Sequence, residues 1–242
     1  MVKQHKENLI IIILLTILSA ATYYVQYLIF HQKENTFFYM LQDLAFVPIQ
    51  VVMVTLIINR FLNEMENRKK IKKINVIIST FFVEIGVPII TVISKFNRNN
   101  NEISEIIKTK EMNSKKYDKL IREIKEFKFD VYADPGKLDE LCSILKNYKE
   151  PMLNLLANPN LLEHDSFTDM LWAVFHVIDE LQARGAFDKQ NKDDIEHLSN
   201  DILRAYTALI IEWISYMNYL QNEYPFLFTL ALKKNPFLAK QS

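Results

Sequence analysis

Leu9–Phe30, LIIIILLTILSAATYYVQYLIF, runs 22 residues without a charged side chain. At about 1.5 Å of rise per residue, a helix of that length crosses a hydrocarbon core roughly 30 Å thick. Lys3 and Lys6 precede the run, and Ser19–Ala21 resembles a signal-peptide cleavage site. The run nevertheless continues as TYYVQYLIF where a mature secreted domain would turn polar, so the stretch reads as an anchor.

A second apolar run, Phe37–Ile58, follows after six residues, which makes the two segments antiparallel neighbours. Six Lys/Arg lie within Asn59–Lys73, against Lys33 alone in the connecting loop, and this bias places both termini in the cytoplasm. The expected first domain is therefore a transmembrane hairpin over 1–62, with spans at 9–30 and 37–59. Asp43 is the acid within these spans, level with Tyr24 and close to Tyr23 and Tyr27. An intramembrane carboxylate marks a pore or proton path by default, with Gln50 as a further polar lining group. The plainer alternative is an interfacial Asp43 bonded to a tyrosine or water. Pro48 is expected to kink the second span.

Ile74–Ser94, INVIISTFFVEIGVPIITVIS, has the length of a third span. Its flanks carry Arg68, Lys69, Lys70, Lys72 and Lys73 on one side and Lys95, Arg98, Lys108 and Lys110 on the other, which would put dense positive charge on both faces of a bilayer. It is expected instead to lie on the membrane surface or to pack within the cytoplasmic domain. The basic run 68–73 is expected to meet anionic lipid headgroups. Residues 63–97 thus form a juxtamembrane segment between the hairpin and a helical domain over 98–242.

In that domain Ile103, Ile106 and Ile107, then Leu120, Ile121 and Ile124, recur at helical spacing. Asp134–Gly136 reads as a turn, a helix follows over 138–156 with a kink at Pro151, and Asn158–Asn160 closes it. Asp165 or Ser166 is expected to cap the next helix, and Gly185 to stop it. Asn191 caps a long final helix that ends before Pro225. The fold class is all-α: a two-helix transmembrane hairpin followed by a cytoplasmic helical bundle.

LAFVPIQVVMVTLIINRFLNEMENRKKIKKINVIISTFFVEIG, NLLEHDSFTDMLWAVFHVIDEL and SNDILRAYTALIIEWISYMNYLQNEYPFLFTLALKKNPF resemble a family of prokaryotic membrane proteins with two N-terminal spans and an all-helical cytoplasmic domain. The resemblance covers most of the chain apart from the region around 97–150. It implies topology and no chemistry.

Chemistry must come from the residues. A formal net charge of zero offers no field for nucleic acid, and none is expected as a partner. One cysteine, Cys142, excludes an internal disulfide, and it reads as a buried small hydrophobe. Gly86, Gly136 and Gly185 are the only glycines, too few for a phosphate-cradling loop.

His176 and Glu180 stand four apart on one helix face, and His197 and Asp201 repeat the spacing on the next helix. If 185–191 form a tight turn, His176 comes level with Asp201, and Glu180 with His197. Glu212 comes level with His164 and Asp165. Imidazole nitrogen with carboxylate oxygen suits zinc, iron or manganese, with His164, Asp165 and Glu212 as further ligands. The same residues read equally as surface ion pairs, Glu180 with Arg184 and Asp201 with Arg204. Glu212, flanked by Ile211 and Trp213, is either on a solvated edge or buried with a partner such as Arg204. Trp172, Tyr206, Trp213 and Tyr216 read as core or interface anchors.

The leading expectation is a non-enzymatic, multi-pass inner-membrane protein without a cofactor. Its helical domain would sense or scaffold through a protein partner or a second copy, with Phe226 and Phe228 at the contact. The alternatives are a membrane-anchored metal-binding bundle, acting as oxidoreductase or metal sensor, and an oligomeric pore.

Overall fold

A 3.6-residue apolar period and an almost glycine-free chain leave helix as the way to satisfy the backbone, and the computed structural model is helical accordingly. It describes residues 2–30, 33–107, 114–185, 187 and 190–237. Lys108 and Lys110 lie outside the described residues, as does part of the turn expected over 185–191. Two units divide the chain, Met1–Asn67 and Arg68–Ser242. The boundary falls inside the expected juxtamembrane segment, so its residues from Arg68 onward belong with the helical domain.

The first unit contains α1 (Val2–Phe30) and the beginning of α2 (Lys33–Phe81). The helix runs through Pro48 without ending there. The Tyr23 hydroxyl donates to Asp43 Oδ2 at 2.9 Å. The tyrosine that meets Asp43 is thus Tyr23, while the neighbouring Tyr24 is 63% exposed. The helical stretch within 37–96 is long and apolar enough to cross a membrane by length and composition, and Ile13–Ile29 is a shorter apolar helix.

The second unit begins in the last turns of α2. Ile74, Ile78 and Phe81 of α2 are buried, followed by a π-helical turn (Phe82–Gly86) and α3 (Val87–Ile93). The wide turn lets the consecutive Phe81 and Phe82 both enter the core, where Phe81 meets Phe167 edge-on and Phe82 stacks on Tyr216. Gly86 is required here, because a Cβ would stand 2.5 Å from the Phe82 ring and 2.9 Å from that of Phe81. Ile74–Ser94 is accordingly a core element of the domain rather than a surface-lying helix, its apolar period being matched by α9.

Two amphipathic helices follow, α4 (Asn100–Ile107) and α5 (Ser114–Glu126), burying Ile103, Ile107, Tyr117, Leu120 and Ile124. Asp134 and Asn158 each accept a backbone N–H two residues on and are each followed by proline, so both are N-caps. They open α6 (Pro135–Leu156), which starts three residues before the expected 138 and ends at the expected 156, and a short further helix, α7 (Pro159–Leu162). Pro151 sits inside α6 without ending it. Then come α8 (Asp165–Arg184), α9 (Lys192–Glu223) and α10 (Pro225–Lys233). α9 is the central helix, touching α8, α5, α10 and α3, and it buries fourteen side chains including Tyr206, Leu209 and Trp213. The described residues contain no strand, only an isolated bridge between Asn97 and Val131.

Candidate functional site

The α8–α9 pair is set by its ends. His164 caps α8, its Nδ1 accepting the Phe167 N–H at 3.4 Å, ahead of the expected Asp165 or Ser166, both of which lie inside the first turn instead. Imidazole serves as the cap because its neutral ring carries an acceptor nitrogen. Gly185 ends α8 at φ 67°, a conformation that disfavours any Cβ. Asn191 caps α9, accepting the Asp194 N–H at 2.8 Å. Fixed ends on two facing helices fix the register between them.

That register brings four of the expected residues together. His176 Nε2 and His197 Nε2 each lie 3.3 Å from Asp201 Oδ2, and Glu180 Oε2 lies 4.0 Å from His197 Nε2. Asp201 is buried, its side chain only 8% exposed, whereas those of His176 and His197 are 43% and 56% exposed. Asp201 Oδ1 takes Arg204 at 3.3 Å, yet Oδ2 receives no hydrogen bond from any described residue. Glu180 is occupied differently, by a close contact with Arg184, and that guanidinium holds its carboxyl below the ordinary glutamate value.

A second group lies further along α9. Glu212 is buried at 4% exposure among Ile210, Trp213 and Ile214, and burial pushes its carboxyl above the ordinary value against a hydrogen bond from Ser166 and the neighbourhood of His164. Its partner is therefore Ser166 rather than Arg204, which is engaged by Asp201. His164 and Asp165 do not join the His176 cluster; they stand at the opposite end of α8. Between the two groups runs an open cleft of about 620 Å³, lined by His176 and Arg204 at one end, Ser166 and Glu212 at the other, and Trp172 and Lys125 along the sides. Trp172, read above as an anchor, is 59% exposed on this cleft, whereas Tyr206, Trp213 and Tyr216 are core. The signal for it was present: Asp169, Trp172 and His176 share one helical face with polar neighbours.

The remaining expected residues divide. Arg68, Lys69, Lys72 and Lys73 are exposed, but Lys70 turns to Glu163, with Nζ 2.6 Å from Oε2. Phe226 is 85% exposed, whereas Phe228 is 8% exposed, so Phe228 is a core residue of α10 rather than a contact residue. Cys142 is half-buried, and burial raises its thiol. In the first unit, Gln50 is exposed on α2.

Comparison with known proteins gives a consistent result. Residues 70–233 match the family model described as uncharacterized protein MJ1433, C-terminal helical domain, and residues 3–62 match MJ1433, N-terminal helical domain. The chain is 38% identical over 230 residues to the uncharacterized protein MJ1433 of Methanocaldococcus jannaschii, an alignment covering 95% of this chain and 92% of the relative. No solved structure matches.

Proposed function

We propose that this chain, which belongs to the MJ1433 family with its N-terminal and C-terminal helical domains in that order, is a membrane-anchored protein whose helical domain acts by binding. In this reading the spans at 9–30 and 37–59 hold the domain at the cytoplasmic face of the plasma membrane, where it senses or scaffolds. The observation that carries it is the uncovered apolar surface of the first unit. Leu14, Leu18, Phe37, Leu44, Leu56 and Phe61 are each more than half exposed. Leaving such a side chain in water costs about 1.5–3 kcal/mol relative to burial, and hydrocarbon removes that cost. The Tyr23–Asp43 hydrogen bond supports the plainer role for Asp43, a satisfied polar pair, over a pore.

Orientation follows from the basic residues after the second span. The exposed Arg68, Lys69, Lys72 and Lys73 suit anionic headgroups. For protein contacts, α10 offers Phe226, Leu227 and Leu230 together with the Tyr224 that precedes it, all exposed. The test is fractionation followed by protease access. Retention in membranes washed with alkaline carbonate, and digestion of the C-terminal domain only after permeabilisation, is the expected result. Release by the wash, or digestion in intact cells, overturns the proposal.

A further inference from the structure

We infer that His176, His197 and Asp201 form a binding site for a divalent metal of the zinc class, with a fourth coordination position open toward solvent. The distances carry the argument. A tetrahedral ion with bonds of about 2.05 Å holds its ligand atoms about 3.3 Å apart, while octahedral geometry at similar bond lengths brings them to about 3.0 Å. Both imidazole Nε2 atoms lie 3.3 Å from Asp201 Oδ2, and the three ligand atoms all lie within 4.8 Å of one another.

The second observation is independent of spacing. Asp201 Oδ2 is buried and receives no hydrogen bond, although two imidazoles stand beside it. A buried carboxylate oxygen without a donor is costly. Two nitrogens and one oxygen that approach closely without bonding one another are arranged as ligands around a common centre. Arg204 on Oδ1 fixes the carboxylate from behind, as an outer-shell partner does in metal sites.

Glu180 is left out of the set of ligands because its carboxylate is engaged by Arg184. Three protein ligands and a vacant fourth position is the pattern of zinc sites that take up water or a small ligand. The partial exposure of both imidazoles gives the ion a path in, and His176 also borders the cleft toward Glu212.

The experiment uses the full chain in detergent, stripped of metal, with zinc chloride and cobalt chloride as probes. One zinc per chain is expected, with a tetrahedral cobalt absorption spectrum. Asp201→Asn, and the pair His176→Ala with His197→Ala, should each weaken zinc binding at least about a hundredfold, beyond the 10–100-fold typical of outer-shell changes. Glu180→Gln should shift it less than about tenfold. Circular dichroism of each metal-free variant checks that its helices persist. Absence of stoichiometric zinc, or binding unchanged in the double variant, overturns the inference, and an octahedral cobalt spectrum overturns the zinc assignment. Membrane partition is read separately, so failure of one proposal leaves the other standing.

Discussion

His176 Nε2 on α8 and Asp201 Oδ2 on α9 face each other at 3.3 Å across a helix pair whose ends are set by His164, Gly185 and Asn191. Neither atom completes a hydrogen bond with the other, which makes Asp201 an unusual buried acid. Its stability role should depend on what is added to the solution.

Without metal, Asp201→Asn should change unfolding free energy by less than about 1 kcal/mol, since the interaction it weakens is with Arg204, whose own side chain is 58% exposed, and an amide oxygen can still accept from it. With zinc at a hundred times its dissociation constant, the parent chain should gain about 2.7 kcal/mol and the variant little. Urea titration of the helical signal, with and without zinc, measures both. An equal gain in the two chains would contradict the geometry.

Gly86→Ala should destabilise the helical domain by about 1–3 kcal/mol, because the added methyl must displace the Phe81 and Phe82 rings from a filled core. Pairing it with Phe82→Leu should recover part of the loss. Thermal melts of the single and double variants test the coupling.

Glu212 titrates against burial, so its folded form holds a proton above the ordinary glutamate range. The folded state then binds more protons than the unfolded one between the ordinary value and the raised value, and stability must fall as pH rises through that window. Glu212→Gln should flatten that decline and leave the variant relatively more stable at the upper end. Denaturation midpoints across mildly acidic to mildly alkaline pH decide it; parallel curves would place Glu212 in contact with water.

Phe226→Ser and Phe228→Ser should behave oppositely. The first removes an exposed ring and should leave stability within about 0.5 kcal/mol while lowering self-association or partner binding. The second empties a core position and should cost about 3–5 kcal/mol. Light scattering in detergent, alongside thermal melts, separates the two effects.

Much of the site was legible in the sequence because helices convert spacing into geometry. Residues four apart share a face, and a turn of known length sets which levels meet, so His176 with Asp201 and Glu180 with His197 follow from counting. What counting does not fix is how each side chain spends its bonding capacity. Arg184 takes Glu180, Ser166 rather than Arg204 takes Glu212, and Lys70 turns to Glu163, choices made by side-chain reach in three dimensions. Asp134 before Pro135 and Asn158 before Pro159 also cap helices in three dimensions, since the same dipeptide opens a turn or a helix depending on what packs behind it.

The sequence by itself determined an all-helical chain with an apolar N-terminal part, because charge-free runs and a sustained 3.6-residue period leave few other ways to satisfy the backbone. The tertiary structure decided that 74–93 is core, that Phe228 faces inward while Trp172 faces outward, and that Asp201 is left with a bare oxygen. Those outcomes depend on neighbours distant in the chain, whose packing selects one face of each helix from several that local periodicity permits.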